Sequence, residues 1–471
     1  MLAPECEGLG KNLHVDFLAQ AHTRGMTTSH QALHARLQQT IHPLHGSIHD
    51  IDPLLALVGD APFVFLGEAT HGTHDFYRMR AEITKRLVAE KGFSAVCIEG
   101  DWPDAYRVNR YVRGADDDAE AVESLGGFRR FPAWMWRNAE VLDFISWLRE
   151  FNDRCQEQRR PKAGFYGLDL YSMYASIDAV IGYLEKIDPE AASAARRRYA
   201  CLERFEERPE EYGFASRLHP SCREDVIEQL RDIQRHAASY ARLDGRVAAD
   251  QYFYAEQNAR VVAQAENYYR AMLDESISTW NLRDGHMIDT IDRLVRHLSQ
   301  HQGVTKAVVW AHNSHVGNAQ ATAMSRRGET NIGELARARF GEGCVLVGFT
   351  THSGTVTAAS NWHAAEERKR VRPAHPDSYE HLFHATHVPQ FYLPLRQHRP
   401  ILEGLPPIAL ERAIGVIYRP ETELQSHYFA ARLIDQFDAI YHYDESRAVE
   451  PLERSAIWDR GEVPETYPEG V

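Results

Sequence analysis

Glu68 and His71 stand three residues apart in Gly67-Glu68-Ala-Thr-His71-Gly72, directly after the apolar run 63–66. A carboxylate beside an imidazole is a general-base pair: the acid orients the ring, and the ring takes a proton from water. Three more apolar runs end the same way. Glu99 and Asp101 follow 93–98, His312 and His315 follow 306–310, and His352 follows 344–349. The same residue types also suit a divalent cation such as zinc or manganese. Other chemistries lack their signatures. There is no GxSxG for a serine nucleophile, no HExxH zinc helix, no P-loop, and no GxGxxG after a strand. What remains is water activated by acid–base groups, or a metal centre.

The elements that must position these residues follow from the hydrophobic pattern. Runs at 63–66, 93–98, 163–168, 306–310, 344–349, 389–393 and 414–418 are short, apolar throughout and rich in β-formers, which predicts buried strands. Helical spacing fills the intervals; Phe76, Met79, Ile83 and Leu87, for example, fall on one face. Alternating strands and helices with unbroken apolar strands predict an α/β fold, a mostly parallel central sheet covered by helices on both faces. From 177 to 300 the strand signal vanishes and Ala-, Arg- and Glu-rich text predicts a large helical insertion, a lid or wall, with Pro220 as a break. The chain divides into a helical lead-in (1–50), a first half of the core (51–176), the insertion (177–300), a second half of the core (301–445) and a peripheral tail (446–471). Strands of one parallel sheet share their carboxyl ends, so residues far apart in sequence meet on one edge.

The formal net charge of −14 argues against nucleic acid or an anionic membrane as partner. No apolar run reaches the length of a bilayer span. The start of the chain lacks the basic-then-apolar pattern of a signal peptide. Six cysteines in 471 residues, none in a CxxC pair, fit a cytoplasmic protein. With 25 histidines, only position gives any of them meaning.

The motifs Gly67-Glu68-Ala-Thr-His71-Gly72, the stretch Phe76 to Arg80, Ile98-Glu99 with Asp101-Trp-Pro-Asp-Ala-Tyr-Arg, Asn281-Leu-Arg283-Asp284, and Trp310-Ala-His312-Asn313-Ser-His315-Val resemble the erythromycin esterase family over about 55–440. The resemblance implies an α/β core with a helical insertion and hydrolysis of a macrolide lactone or related ester by an activated water, without a covalent serine intermediate. It implies His71 as general base, Glu68 and Glu99 positioning the water and the ring, and His312 opposite, holding the lactone or the developing oxyanion. Arg80 and His315 fall in motif positions, Arg80 as partner of a buried glutamate; Asp101 and His352 read as supporting residues. No cofactor is implied; a metal bound by Glu68, His71, Glu99, His312 and His315 is the alternative, and a non-catalytic binder of an apolar ligand a third reading. His74 reads as the next helical residue, His286 as a helix-end histidine, Trp134, Trp136 and Trp147 as core, and Arg196 to Arg198 as a solvated face.

Overall fold

The alternation inside Phe63–Leu66 sets the plan of the molecule. Phe63 and Phe65 face one apolar core, Val64 and Leu66 the other, and all four are buried. A computed structural model describes residues 26–115, 118–206, 208–218, 221–240, 245–274 and 276–461; residues 1–25, Pro220 and 462–471 lie outside these. In chain order the strands are β1 (His42–Pro43), β2 (Phe63–Leu66), β3 (Phe93–Asp101), β4 (Gly164–Asp169), β5 (Lys306–Trp310), β6 (Cys344–Ala358), β7 (Glu367–Val371), β8 (Gln390–Pro394), β9 (Ala409–Arg412), β10 (Tyr428–Ala431) and β11 (Ala439–Ser446).

Nine of them form one sheet in the order β1-β8-β11-β6-β2-β5-β3-β4, with β7 paired to β6. The six central strands, β11 to β4, are parallel; β8 and β1 add an antiparallel edge. β9 and β10 form a separate antiparallel ribbon. Helices His74–Lys91 and Ala139–Glu157 cover one face through Phe76, Ile83, Leu87, Phe144 and Leu148. Helices Thr279–Gln302, Ile332–Phe340 and Tyr379–His384 cover the other through Ile288, Ile291, Ile332 and Phe383. The expected α/β architecture is therefore present, mostly parallel and covered on both faces.

Between β4 and β5 every described element is helical. Helices Met173–Ile187, Pro189–Glu203, Arg223–Arg235 and Gly245–Ala271 share a core of their own around Leu184, Tyr199, Val226 and Val262. This packing joins Cys201 and Cys222, 21 residues apart, in a disulfide with Cα atoms 6.0 Å apart. Spacing alone gave no hint of that pair, because helix packing rather than sequence proximity creates it.

Three details depart from the sequence reading. The run 414–418 does not join the sheet; Ile414 and Ile417 make single bridges to Thr70 and Ala359, and Ile414 and Tyr418 pack in a small cluster with Val356, Ala358 and Val371. The place at the sheet belongs to β11, whose Ala-Ile-Tyr-His-Tyr-Asp-Glu-Ser text mixes polar residues into a strand and so conceals it. Residues 447–451 also come back over the sheet edge: Arg447 accepts from the His74 amide (2.8 Å), and the Val449 amide donates to the Gly72 carbonyl (2.8 Å).

Gly72 is thereby caught between β6 and this returning segment. A Cβ there would lie 1.8 Å from the Thr357 carbonyl oxygen, which itself belongs to backbone that cannot give way. Gly72→Ala is expected to cost roughly 1–3 kcal/mol of stability and to lower activity by displacing His71, read by urea denaturation beside an ester assay.

Candidate active site

β2 delivers its carboxylate and imidazole into a loop pinned on every side. The Gly67 amide donates to Val347 (2.8 Å), the Ile414 amide to Ala69 (2.8 Å), and the Asn313 amide to Glu68 (2.8 Å). Within it His71 Nδ1 lies 2.9 Å from Glu68 Oε1. An ionised carboxylate only accepts, so Nδ1 carries the proton and Nε2 is left with its lone pair. The other Glu68 oxygen meets Arg80 Nη2 at 2.7 Å, and both side chains are fully buried. The Arg80 guanidinium lies over the rings of Tyr77 (4.3 Å) and Trp310 (5.1 Å). Arg80 is thus the partner of a buried glutamate, with aromatic faces in place of water around its charge.

β3 and β5 supply the opposite wall. Glu99 Oε2 accepts from the His312 amide at 2.8 Å, and Glu99 Oε1 lies 2.8 Å from Arg283 Nη2 and 3.3 Å from His315 Nε2. Burial pushes the Glu99 carboxyl up, but His315 and Arg283 outweigh it and hold the group well below the usual carboxylate range. Arg283 also makes a bidentate pair with Asp169 at the end of β4, Nε–Oδ1 3.0 Å and Nη2–Oδ2 2.7 Å. His315 Nδ1 is 2.9 Å from both oxygens of Asp284, and Trp280 stacks on its ring at 4.3 Å.

Against burial and the Arg283 charge, Asp284 and Glu99 raise the His315 imidazole to about 10. Both of its ring nitrogens are engaged, Nδ1 by Asp284 and Nε2 by Glu99 (3.3 Å) and Arg283 Nη1 (3.0 Å), so it offers no free lone pair to a water. The linkage has a definite sign. A histidine raised from 6.5 to about 10 on folding contributes stability that is complete below pH 6.5 and is lost as pH rises through about 10. Wild-type stability is expected to fall across that window, and His315→Gln to flatten the decline; NMR of the imidazole nitrogens should show His315 still charged at pH 8.

His312 is the complement of His71. Its Nδ1 accepts from the Ser314 amide (3.2 Å) and pairs with the Ser314 hydroxyl (2.8 Å). Its proton therefore sits on Nε2, which finds no aligned protein partner. Burial and then His71 hold the imidazole well below its ordinary range, and Glu99 and the Ala69 carbonyl offset only part of this. The two rings face each other with centroids 4.8 Å apart. One offers a lone pair and the other an N–H, both on Nε2.

Asn313 locks this arrangement to the sheet. Its side chain accepts from the Phe349 amide (3.2 Å) and donates to the Phe349 carbonyl (2.8 Å), and a Cβ at Gly67 would collide with it at 2.1 Å. The loops after β2 and β5 are therefore clamped to β6 as one body.

Glu68, His71, Glu99, His312, His315 and Arg80 thus come together from three strand ends and one helix. Asp101 lies one step out: Arg130 holds it at 2.9 and 3.2 Å, and Tyr171 lies under both Arg130 (4.9 Å) and Arg283 (5.0 Å). His352 does not join the group. It stacks on His384 at 3.8 Å, and its carbonyl accepts from Arg412 at 2.9 Å, because β6 runs past the catalytic edge before His352 is reached. His74 opens its helix and pairs with Glu140. His286 is a buried residue within Thr279–Gln302, not at its end, and burial pushes it down to about 4. Trp134 and Trp136 are core; Trp147 packs half-buried against it.

The sequence reading quoted Arg283 and Asp284 in a family motif but gave them, like Asp169, no role. Asp169 ends a strand just as Glu68 and Glu99 do, and that signal was available. Arg283 and Asp284 sit inside a helix, and the docking of Thr279–Gln302 onto the sheet is what gives them their partners. Among the described residues no three His, Cys, Asp or Glu side chains are grouped as a metal ion needs. The carboxylates spend their oxygens on Arg80, Arg283, imidazoles and amides instead.

A structure from Bacillus cereus is similar at a TM-score of 0.73, with 20% identity over 90% of this chain and 99% of that one. A succinoglycan biosynthesis protein is similar at 0.71, with 21% identity over 90% of this chain and 100% of that one. An erythromycin esterase mutant in its open conformation is similar at 0.58, with 16% identity over 87% of this chain and 96% of that one. In sequence, erythromycin esterase type II of Escherichia coli is 23% identical over 328 residues, 66% of this chain and 73% of that protein. The erythromycin esterase family model matches residues 88–446. That match takes in Glu99, Arg283, His312 and His315 and begins beyond Glu68, His71 and Arg80, so for the β2 loop the pairing geometry is the evidence. The chain belongs to the erythromycin esterase family.

Proposed function

We propose that this chain is a carboxylic ester hydrolase in which His71 activates a water for direct attack on the ester carbonyl. The observation that carries the reading is the opposition of two imidazoles with complementary tautomers, His71 offering a lone pair and His312 an N–H. In the proposed cycle His71 Nε2 takes one proton from water while the oxygen bonds to the carbonyl carbon. The carbonyl oxygen becomes an oxyanion, and His312 Nε2–H donates to it. The C–O bond then breaks, and the proton on His71 passes to the leaving alkoxide, giving acid and alcohol. Glu68 keeps His71 in the working tautomer and steadies the imidazolium; Arg80 fixes Glu68. Glu99 fixes the loop that carries His312, through its amide.

The leading substrate is a macrolide lactone, which the family relatives' names suggest; opening it in the cytoplasm would confer resistance. The test is a panel of macrolides of different ring size and simple esters, incubated with wild type and His71→Ala and read by mass for the gain of one water. Turnover of lactones by wild type alone supports the reading. A folded wild type that turns over nothing on the panel moves it to a binder of apolar ligands. The metal-dependent alternative makes a separate prediction. Hydrolysis is expected to persist after exhaustive chelation, whereas stoichiometric metal by elemental analysis with chelator-sensitive turnover would replace His71 as the activator of water.

A further inference from the structure

The ribbon of β9 and β10 brings one short segment, residues 411–414, against both loops that carry the facing histidines. The Ile414 amide donates to the Ala69 carbonyl (2.8 Å), and the His71 amide donates to the Ile414 carbonyl (3.3 Å). Three residues earlier Glu411, fully buried on β9, accepts from Asn313: Nδ2 lies 3.3 Å from Oε1. The same Asn313 side chain holds Phe349 on β6, and its backbone amide donates to the Glu68 carbonyl. One buried carboxyl thus backs the residue next to His312.

No cation is spare to neutralise it. Arg412, the next residue, gives its guanidinium to Glu423 (2.9 Å) and to the carbonyls of Thr351 (3.1 Å), His352 (2.9 Å) and Arg372 (2.8 Å). The facing helix, Tyr379–His384, presents a second buried carboxyl, Glu380, which accepts from the Arg412 amide at 2.9 Å. The Tyr379 phenol on that helix is engaged by the Pro406 and Ala431 carbonyls (3.0 Å each). Glu411 Oε2 has no aligned partner, and the buried Gln436 amide lies beside the carboxyl. A buried carboxylate without a cation is costly, and a second carboxyl facing it adds to the cost. Burial and then Glu380 push the Glu411 carboxyl up to about 8, against the hydrogen bonds from Gln436 and Asn313.

We propose that Glu411 is a positioning residue whose carboxyl, in its acid form, steadies Asn313 and so the loop that carries His312. Its part in catalysis rests on the esterase reading; its hold on Asn313 does not. Once ionised, the carboxyl needs a cation or water that Asn313, Glu380 and Gln436 do not supply, so the loop is expected to loosen as pH rises through about 8. The linkage has the same sense: a carboxyl raised from 4.5 to about 8 on folding contributes stability that is complete below pH 4.5 and is lost as pH rises through about 8.

The test compares wild type, Glu411→Gln and Glu411→Ala. Glutamine keeps an acceptor for Asn313, replaces the O–H by an N–H, and cannot ionise. At neutral pH Glu411→Gln is expected to stay within about twofold of wild type in kcat, whereas Glu411→Ala loses about tenfold in kcat with KM little changed. Wild-type kcat should then fall with a midpoint at about pH 8, and that of Glu411→Gln should hold level across the same window. NMR of the Asn313 side-chain amide in 15N-asparagine-labelled protein reads the contact without turnover. Its signals should shift through this window in wild type and stay fixed in Glu411→Gln. A wild-type alkaline fall retained by Glu411→Gln, a loss in Glu411→Gln as large as in Glu411→Ala, or Asn313 signals indifferent to pH in wild type overturns the proposal. If wild type hydrolyses no ester while the Asn313 signals follow Glu411, the esterase reading fails and the hold of Glu411 on the His312 loop stands.

Discussion

His71→Ala is expected to lose about a thousandfold in kcat/KM for ester hydrolysis while its circular dichroism stays that of wild type. The size follows from what is removed. Of the three site imidazoles His71, His312 and His315, His71 alone offers a lone pair on a ring fixed by a carboxylate at 2.9 Å. His312 has its lone pair engaged by Ser314, and His315 has both ring nitrogens engaged by Asp284, Glu99 and Arg283, so neither can take over. Most of the loss should appear in kcat, because the water and not the substrate loses its partner. Glu68→Gln keeps the shape of the loop but can present an N–H to His71 and favour the wrong tautomer, so a smaller loss of the same kind is expected. Retention of full activity by a folded His71→Ala would remove the mechanism.

Arg283→Ala is expected to be the most destabilising single change near the site, by roughly 3–5 kcal/mol. Arg283 is buried and holds two buried carboxylates, Glu99 at 2.8 Å and Asp169 at 2.7 Å. Its removal leaves both anions in a poorly solvated interior with only His315 and Arg130 nearby. Arg283→Lys restores a charge but not the fork that reaches both partners, so recovery should be partial. Urea denaturation measures this directly. Exposed pairs such as Arg196 with Glu185 serve as the contrast, and their removal should change little. A loss for Arg283→Ala no larger than for that surface pair would mean that Glu99 and Asp169 are not held as described.

Much of this was legible in the sequence wherever a single local rule decides the outcome. Phe63 to Leu66 and Lys306 to Trp310 are apolar along their length because both faces of a parallel sheet are covered, and so they stand out. Glu68, Glu99 and His312 were legible for the same reason, each being the polar residue where such a run stops. β7, with its Glu-Arg-Lys-Arg text at the margin of the sheet, was not, and neither was β11, which lies between β8 and β6 but carries His442, Asp444 and Glu445. His352 looked like its counterparts because the run 344–349 ends there, but β6 continues to Ala358 and carries His352 away from His71. Arg283 and Asp284 belong to the insertion by sequence and to the candidate site by packing. No periodicity reports the docking of a helix end against two strands. The clamp of Asn313 on Phe349 is likewise a relation between strands, invisible until β5 and β6 are placed on either side of β2.

The central claim is that water attacks the ester directly under the control of His71. It is tested most directly by intact-protein mass spectrometry during turnover of a hydrolysed ester from the panel in 18O-labelled water. The account predicts one 18O in the released acid, an enzyme mass without an acyl adduct at every time point, and labelled acid from His71→Ala at only about a thousandth of the wild-type rate. An acyl group on the wild-type chain during turnover, or labelled acid formed by His71→Ala at the wild-type rate, would contradict it.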